Sequence, residues 1–117
     1  MSQKSQIYLI DDMLMFLEDI EKYLHDIGYD ESIFFEWGVH YDAIILKLAL
    51  LWEWWIKLQE ISHGHIADFP FSEMRWLRNR IIHDYLGVND EMIWDALIQR
   101  RKELSNQLEI IKKSLTL

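Results

Sequence analysis

Residues that make tight turns are scarce in this chain. Four glycines and one proline are spread over 117 residues, whereas a β-sandwich or β-barrel needs many turns that contain Gly or Pro. Hydrophobic residues make up 50% of the sequence, which excludes a disordered chain and is enough to build one buried core. The sequence therefore predicts a single all-α domain that spans residues 1–117.

Apolar residues recur at spacings of three and four along most of the chain, as they do on the buried side of amphipathic helices. Gly28 follows the first such stretch and is expected to cap it, and the second stretch has an irregularity near Gly38. The pattern predicts an antiparallel bundle of four or five helices that dimerises through helix faces. The main predicted helices cover about residues 5–27, 31–61, 71–86 and 90–115.

The second predicted helix is apolar nearly all round between Ala43 and Ile56, which is typical of a helix contacted from several sides. Within it, the indoles of Trp52, Trp54 and Trp55 spread over most of the helix circumference at about 100° per residue. We therefore expect one face of this helix in the domain core and another against a second subunit.

Charge is distributed unevenly around a net charge of −8. Residues 1–60 hold 12 acidic and 4 basic residues, and residues 61–117 hold 8 of each. This balance excludes a protein that coats DNA or RNA in general, because phosphate contacts need clustered Lys and Arg. A small basic site remains at Arg75, Arg78 and Arg80. The acidic face of the first helix is expected to be solvated, with a basic docking partner as the alternative.

The chain has no cysteine, which excludes disulfides and thiolate catalysis and suits a reducing compartment. Its polar first residues do not resemble a secretion signal, and no apolar run is long enough to span a bilayer. The sequence predicts a soluble cytoplasmic protein without a membrane partner. His63 and His65 lie near Asp68, but the flexible Gly64 between the two histidines favours a solvated loop, so no metal and no cofactor are predicted.

Residues 75–85 are unusually rich in groups that can do chemistry. They contain three guanidiniums, an amide, an imidazole and a phenol. On a helix, Asn79 and His83 share a face, whereas Arg78 and His83 diverge by about 140°. A histidine can move the protons and an arginine can stabilise the phosphoryl charge when RNA is cleaved. The alternative is that Arg78 is a solvated helix charge and His83 a hydrogen-bonded interface residue.

The run Arg78-Asn79-Arg80-Ile81-Ile82-His83-Asp84-Tyr85 resembles the Arg-x-x-x-x-His-x-Tyr motif of HEPN-domain proteins of the HepT type. The resemblance covers almost the whole chain, from Tyr8-Leu9 in the first helix to Ile93-Trp94 in the last. One difference lies in the central helix, where Trp52-Glu53-Trp54 stands in place of a Gly-Glu-Ala stretch. Because indoles replace small residues there, we expect helix packing or the dimer interface to differ from that of the family.

The resemblance implies a homodimeric, metal-independent endoribonuclease, which is the toxin half of a toxin–antitoxin pair. Arg78 and His83 would be the catalytic residues, with Asn79 as a polar supporter. Tyr85 matches the tyrosine that a partner nucleotidyltransferase, the antitoxin, modifies with AMP. Arg75, Trp76 and Arg80 are candidate RNA contacts, and no DNA partner is expected.

Two alternatives to a ribonuclease remain at this point. The first is a non-catalytic helical adaptor that binds a nucleotide or presents a substrate to a nucleotidyltransferase, which the strong negative charge would suit. The second is a structural dimerisation module without a role in nucleic-acid chemistry. That module would explain the Trp-rich helix but not the motif.

Overall fold

The computed structural model describes residues 3–36, 38–62 and 90–116, and within these ranges the chain forms helices and no strand. The expected all-α class is therefore confirmed. The predicted helix at residues 71–86 and the loop before it lie outside the described residues. The helices are α1 (Gln3–Asp26), α2 (Glu31–Phe34), α3 (Val39–Ser62) and α4 (Asp90–Thr116).

None of these four helices combines the length and the apolar character that crossing a bilayer requires.

Helix α1 ends in the turn that the sequence predicts at Gly28. The N–H of Gly28 donates to the carbonyl of His25 at 2.9 Å, and the N–H of Tyr29 donates to the carbonyl of Leu24 at 2.9 Å. These two bonds form a Schellman motif, in which the residue just past the helix takes the left-handed conformation. Gly28 has a φ of 63° and Tyr29 a φ of 54°, so both residues adopt the left-handed conformation. Glycine adopts it without steric cost because it has no Cβ.

The single helical region expected after this turn is two helices. Asp30 caps the short α2: its Oδ1 accepts from the backbone N–H of Ser32 at 2.9 Å and from the Ser32 hydroxyl at 2.6 Å. Both bonds favour the carboxylate and hold the pKa of Asp30 below its ordinary value. Helix α2 ends at Phe34, and α3 begins at Val39. The irregularity expected near Gly38 is thus a complete break.

Helix α1 packs against both α3 and α4 and runs antiparallel to each. Three polar contacts join it to α3, at 2.9, 3.0 and 3.5 Å. Successive contacts are seven residues apart on both helices, and the numbers ascend on α1 while they descend on α3. The pairs are Asp12 with Trp54, Asp19 with Lys47, and Asp26 with His40.

Two further ion pairs join α1 to α4. The Lys112 ammonium lies 2.7 Å from Asp11, and the Arg101 guanidinium lies 2.6 Å from Glu21. The acidic face of α1 is therefore solvated only in part: Asp11, Glu21 and Asp26 stay about half exposed while they pair with groups of the same chain. Five of its carboxylates contact side chains of α3 or α4, so most of this acidic face is matched by groups of the same chain.

The three indoles of α3 are covered by the chain itself. Trp52 and Trp55 are only 8% and 3% exposed. Trp54 packs edge-on against Phe16 of α1, with ring centroids 5.3 Å apart. The Trp cluster therefore does not require a second subunit to bury it, although dimerisation itself stays a prediction. Among the described residues, Trp52 Nε1 is a buried donor without a hydrogen-bond partner, an arrangement that costs about 1–3 kcal/mol.

Glu21 makes the fold sensitive to acid. Its hydrogen bonds from Arg101 and then from Tyr29 hold the pKa of Glu21 below its ordinary value of 4.5. A carboxyl with a lowered folded-state pKa stabilises the fold above its unfolded pKa, and this contribution is lost as the pH falls through the folded-state pKa. At neutral pH we expect the wild-type protein to have a higher melting temperature than Glu21→Gln. This difference in melting temperature should shrink below pH 4.5. Thermal melts of both proteins from neutral pH to below pH 4.5, with Glu18→Gln as the control variant, test this prediction. A difference in melting temperature that does not change with pH would contradict it.

Candidate functional site

The residues that the sequence predicts for catalysis, RNA contact and modification lie outside the described residues. They are Arg75, Trp76, Arg78, Asn79, Arg80, His83 and Tyr85. The same is true of the loop residues His63, His65 and Asp68. These predictions therefore stand on the sequence.

The described structure defines the two helices that flank this segment. Helix α3 ends at Ser62 and α4 begins at Asp90. Leu58 in the last turns of α3 and Ile93 in the first turn of α4 are both fully buried in one core cluster. The chain thus enters and leaves the motif segment from helix ends that are anchored in the core.

A groove of about 300 Å³ opens between the first turns of α1 and the last turns of α3. The antiparallel register brings these two ends together. Apolar side chains supply part of the lining, and its polar groups are one phenol, one serine hydroxyl, two carboxylates and one ammonium. The lining residues are Ser5, Tyr8, Leu9, Asp12, Lys57, Glu60 and Ile61.

Trp54 contacts two of the residues that line the groove. The indole N–H of Trp54 donates to Asp12 Oδ2 at 2.9 Å. The Lys57 ammonium lies 4.5 Å from the centre of the Trp54 ring, in the range of a cation–π contact. A single indole therefore contacts a carboxylate from α1 and an ammonium from α3, both of which line the groove.

Tyr8 of α1 also lines the groove, and its side chain is 58% exposed. The ammonium of Lys4 lies 5.7 Å from the centre of the Tyr8 ring. The groove therefore combines an accessible aromatic side chain, one ammonium and two carboxylates, and a second ammonium lies beside the ring. Such a set of groups can hold a flat polar ring that carries an anionic substituent.

The sequence pattern does not indicate this groove. It places Tyr8 in the first helix without a role, and it gives no role to Asp12, Lys57 or Glu60. Apart from the resemblance, one signal in the sequence could have indicated that the start of α1 lies beside the end of α3. Polar residues recur every seven positions in both helices. Among the described residues, no group of three or more His, Asp or Glu side chains is placed to share a metal ion.

Comparison with known proteins identifies the family. The model of a family described as "Ribonuclease HepT-like" matches residues 13–111. Two relatives from Methanocaldococcus jannaschii, each named a "Putative RNase", are 30% and 28% identical over 104 residues. Each match covers 89% of this chain, and it covers 84% of the first relative and 88% of the second.

A further relative, from Caldanaerobacter subterraneus, is also named a "Putative RNase" and is 38% identical over 72 residues, which is 61% of this chain and 64% of that protein. No solved structure matches the chain significantly. The family match includes most of α1, all of α2 and α3, the motif segment and most of α4. The chain therefore belongs to the ribonuclease HepT-like family.

Proposed function

We propose that this protein is a metal-independent endoribonuclease toxin that acts on cellular RNA as a homodimer. The observation that carries the proposal is the Arg78–His83–Tyr85 motif within a chain that matches the HepT-like family over residues 13–111. The names of the relatives from two organisms support the same class of activity. The all-α fold, with two long helices flanking the motif, is compatible with it.

The motif supplies the groups that RNA cleavage needs. The 2′-oxygen attacks the adjacent phosphorus, the bond from phosphorus to the 5′-oxygen breaks, and a 2′,3′-cyclic phosphate forms. His83 takes the proton from the 2′-hydroxyl or gives one to the leaving 5′-oxygen. Arg78 stabilises the charge on the phosphoryl oxygens. Asn79 supports this pair, and Arg75, Trp76 and Arg80 hold the RNA strand.

Control of the toxin acts on Tyr85. A nucleotidyltransferase antitoxin transfers AMP to the tyrosine hydroxyl, with pyrophosphate as the leaving group when ATP is the donor. The added phosphate is a bulky anion two residues from His83 in sequence. It would block access to Arg78 and His83 and repel the phosphate of an incoming RNA.

The direct test is to incubate purified protein with cellular RNA in the presence of a chelator. Cleavage products that end in 2′,3′-cyclic phosphate support the proposal. Intact mass must be measured on the same sample, because a protein that already carries AMP on Tyr85 would be inactive. An unmodified dimer that cuts no RNA would contradict the proposal.

A non-catalytic adaptor for a nucleotidyltransferase is the second candidate. The observation that favours it is the charge of residues 1–60, where 12 acidic residues oppose 4 basic ones, so that half of the chain does not attract RNA over a broad surface. Expression of the protein alone in bacteria separates the two functions. A toxin arrests growth under these conditions, and an adaptor does not.

A further inference from the structure

Two of the few cations in the acidic part of the chain lie at the groove between α1 and α3. Residues 1–60 contain four cations. Lys47 pairs with Asp19, and Lys22 lies exposed farther along α1. The remaining two are at the groove, where Lys57 lines it and Lys4 lies against the Tyr8 ring. Asp12 and Glu60 also line the groove, so it carries both signs of charge, and the two ammonium groups are the ones that can contact a phosphate.

The same groove offers a surface for a flat ring. The Tyr8 ring is more than half exposed, and Leu9 and Ile61 supply apolar lining beside it. Unpaired nucleobases stack on exposed aromatic side chains, and the volume of about 300 Å³ accommodates one base with part of its sugar. An aromatic surface next to two ammonium groups is suited to a nucleotide.

The two carboxylates that line the groove can distinguish one base from the others by hydrogen bonding. Guanine presents two neighbouring donors, N1–H and the N2 amino group, which match the two oxygens of one carboxylate. The corresponding edges of adenine, cytosine and uracil each include an acceptor, which a carboxylate repels. Asp12 already accepts a hydrogen bond from Trp54, whereas Glu60 is exposed at the groove. Glu60 is therefore the better placed of the two to pair with guanine.

We propose that this groove binds a guanine nucleotide, as an unpaired guanosine of the RNA substrate. Tyr8 stacks on the base, Glu60 accepts from its N1–H and N2 amino group, and Lys4 and Lys57 hold the neighbouring phosphates. The inference rests on the proposed function for its choice of RNA as the source of the guanosine. Binding in the groove can nevertheless be measured without cleavage.

The first experiment titrates the full-length protein with GMP, AMP, CMP and UMP, which contain no internucleotide bond to cleave. We expect GMP to bind about tenfold more tightly than the other three, because a good bidentate pair discriminates bases by about that factor. Tyr8→Ala should weaken GMP binding about tenfold, since it removes the stacking surface. Glu60→Gln should remove the preference for GMP.

Matched controls keep this result specific to the groove. Met15→Ala removes another exposed apolar side chain of α1, and Glu18→Gln removes another exposed carboxylate. Neither should change GMP binding. Equal affinity for the four nucleotides, or equal losses in groove and control variants, would overturn the proposal.

The second experiment distinguishes RNA from a free nucleotide. A short single-stranded RNA with 2′-O-methyl sugars throughout cannot be cleaved, because it has no free 2′-hydroxyl. With one guanosine position, it should bind more tightly than GMP and lose that advantage when guanine is replaced by adenine. Binding of GMP alone, without the oligonucleotide, would overturn the assignment to RNA. Because neither ligand is cleaved, failure here is separate from failure of the ribonuclease assay.

Discussion

His83→Ala should lower the rate of RNA cleavage by about 10²–10⁴-fold, the range that a positioned general acid or base contributes. An alanine can neither take the proton of the 2′-hydroxyl nor protonate the leaving oxygen. The rate should be measured on one defined RNA with chelator present, using protein whose intact mass shows an unmodified Tyr85. The same variant should no longer arrest growth when it is expressed alone.

A matched control for this loss is His25→Ala. His25 is exposed in the last turn of α1, where its ring packs edge-on against Tyr29 at 6.5 Å. It lies outside the motif, so its removal should leave cleavage unchanged. If His83→Ala cut RNA as fast as wild type while both variants melted normally, the assignment of His83 to proton transfer would be wrong.

The extents of α1 and α4 could be predicted from the sequence because each has a clear apolar stripe. The structure extends α1 over Gln3–Asp26, against the expected residues 5–27, and α4 over Asp90–Thr116, against an expected end near residue 115. Apolar positions at helical spacing depend only on neighbours along the chain, so no knowledge of tertiary contacts is needed. The C-cap at Gly28 follows from the same local reasoning.

The pairing of the acidic face could not be predicted in the same way, because it depends on which helix lies next to α1 and in which register. The contacts at Asp12, Asp19 and Asp26 recur every seven residues, and so do their partners on α3. That matched spacing is visible in the sequence only after an antiparallel neighbour is assumed. Without the assumption, a row of carboxylates looks like a face that points to water.

The motif segment could be predicted from the sequence, whereas the groove could not. Residues 75–85 stand out in the sequence because their chemistry is concentrated in one stretch, and the resemblance gives them roles. The groove is assembled from residues that are distant in the chain: Tyr8 and Glu60 meet only because α1 and α3 run antiparallel. A motif can be recognised from a single sequence, whereas a groove between two helices requires their packing.

The short helix α2 depends on one aromatic side chain. Phe34 is fully buried, and its ring centre lies 4.9 Å from that of Tyr41 and 5.2 Å from that of Trp94. A helix of four residues has too few hydrogen bonds to be stable alone. The burial of Phe34 between α3 and α4 is therefore what holds α2 against the rest of the chain.

Phe34→Ala should lower the free energy of unfolding by about 3–5 kcal/mol, because it removes a buried ring and leaves a cavity between two other aromatic side chains. For a chain of this size the loss corresponds to a fall in melting temperature of roughly 10–20 °C. Denaturant titration and thermal melts measure both quantities. Ile33→Ala, one residue earlier on the same helix and 43% exposed in the wild type, should cost less than about 1 kcal/mol. Equal losses in the two variants would mean that α2 is not anchored by Phe34, and that the contacts of its ring with Tyr41 and Trp94 contribute little to stability.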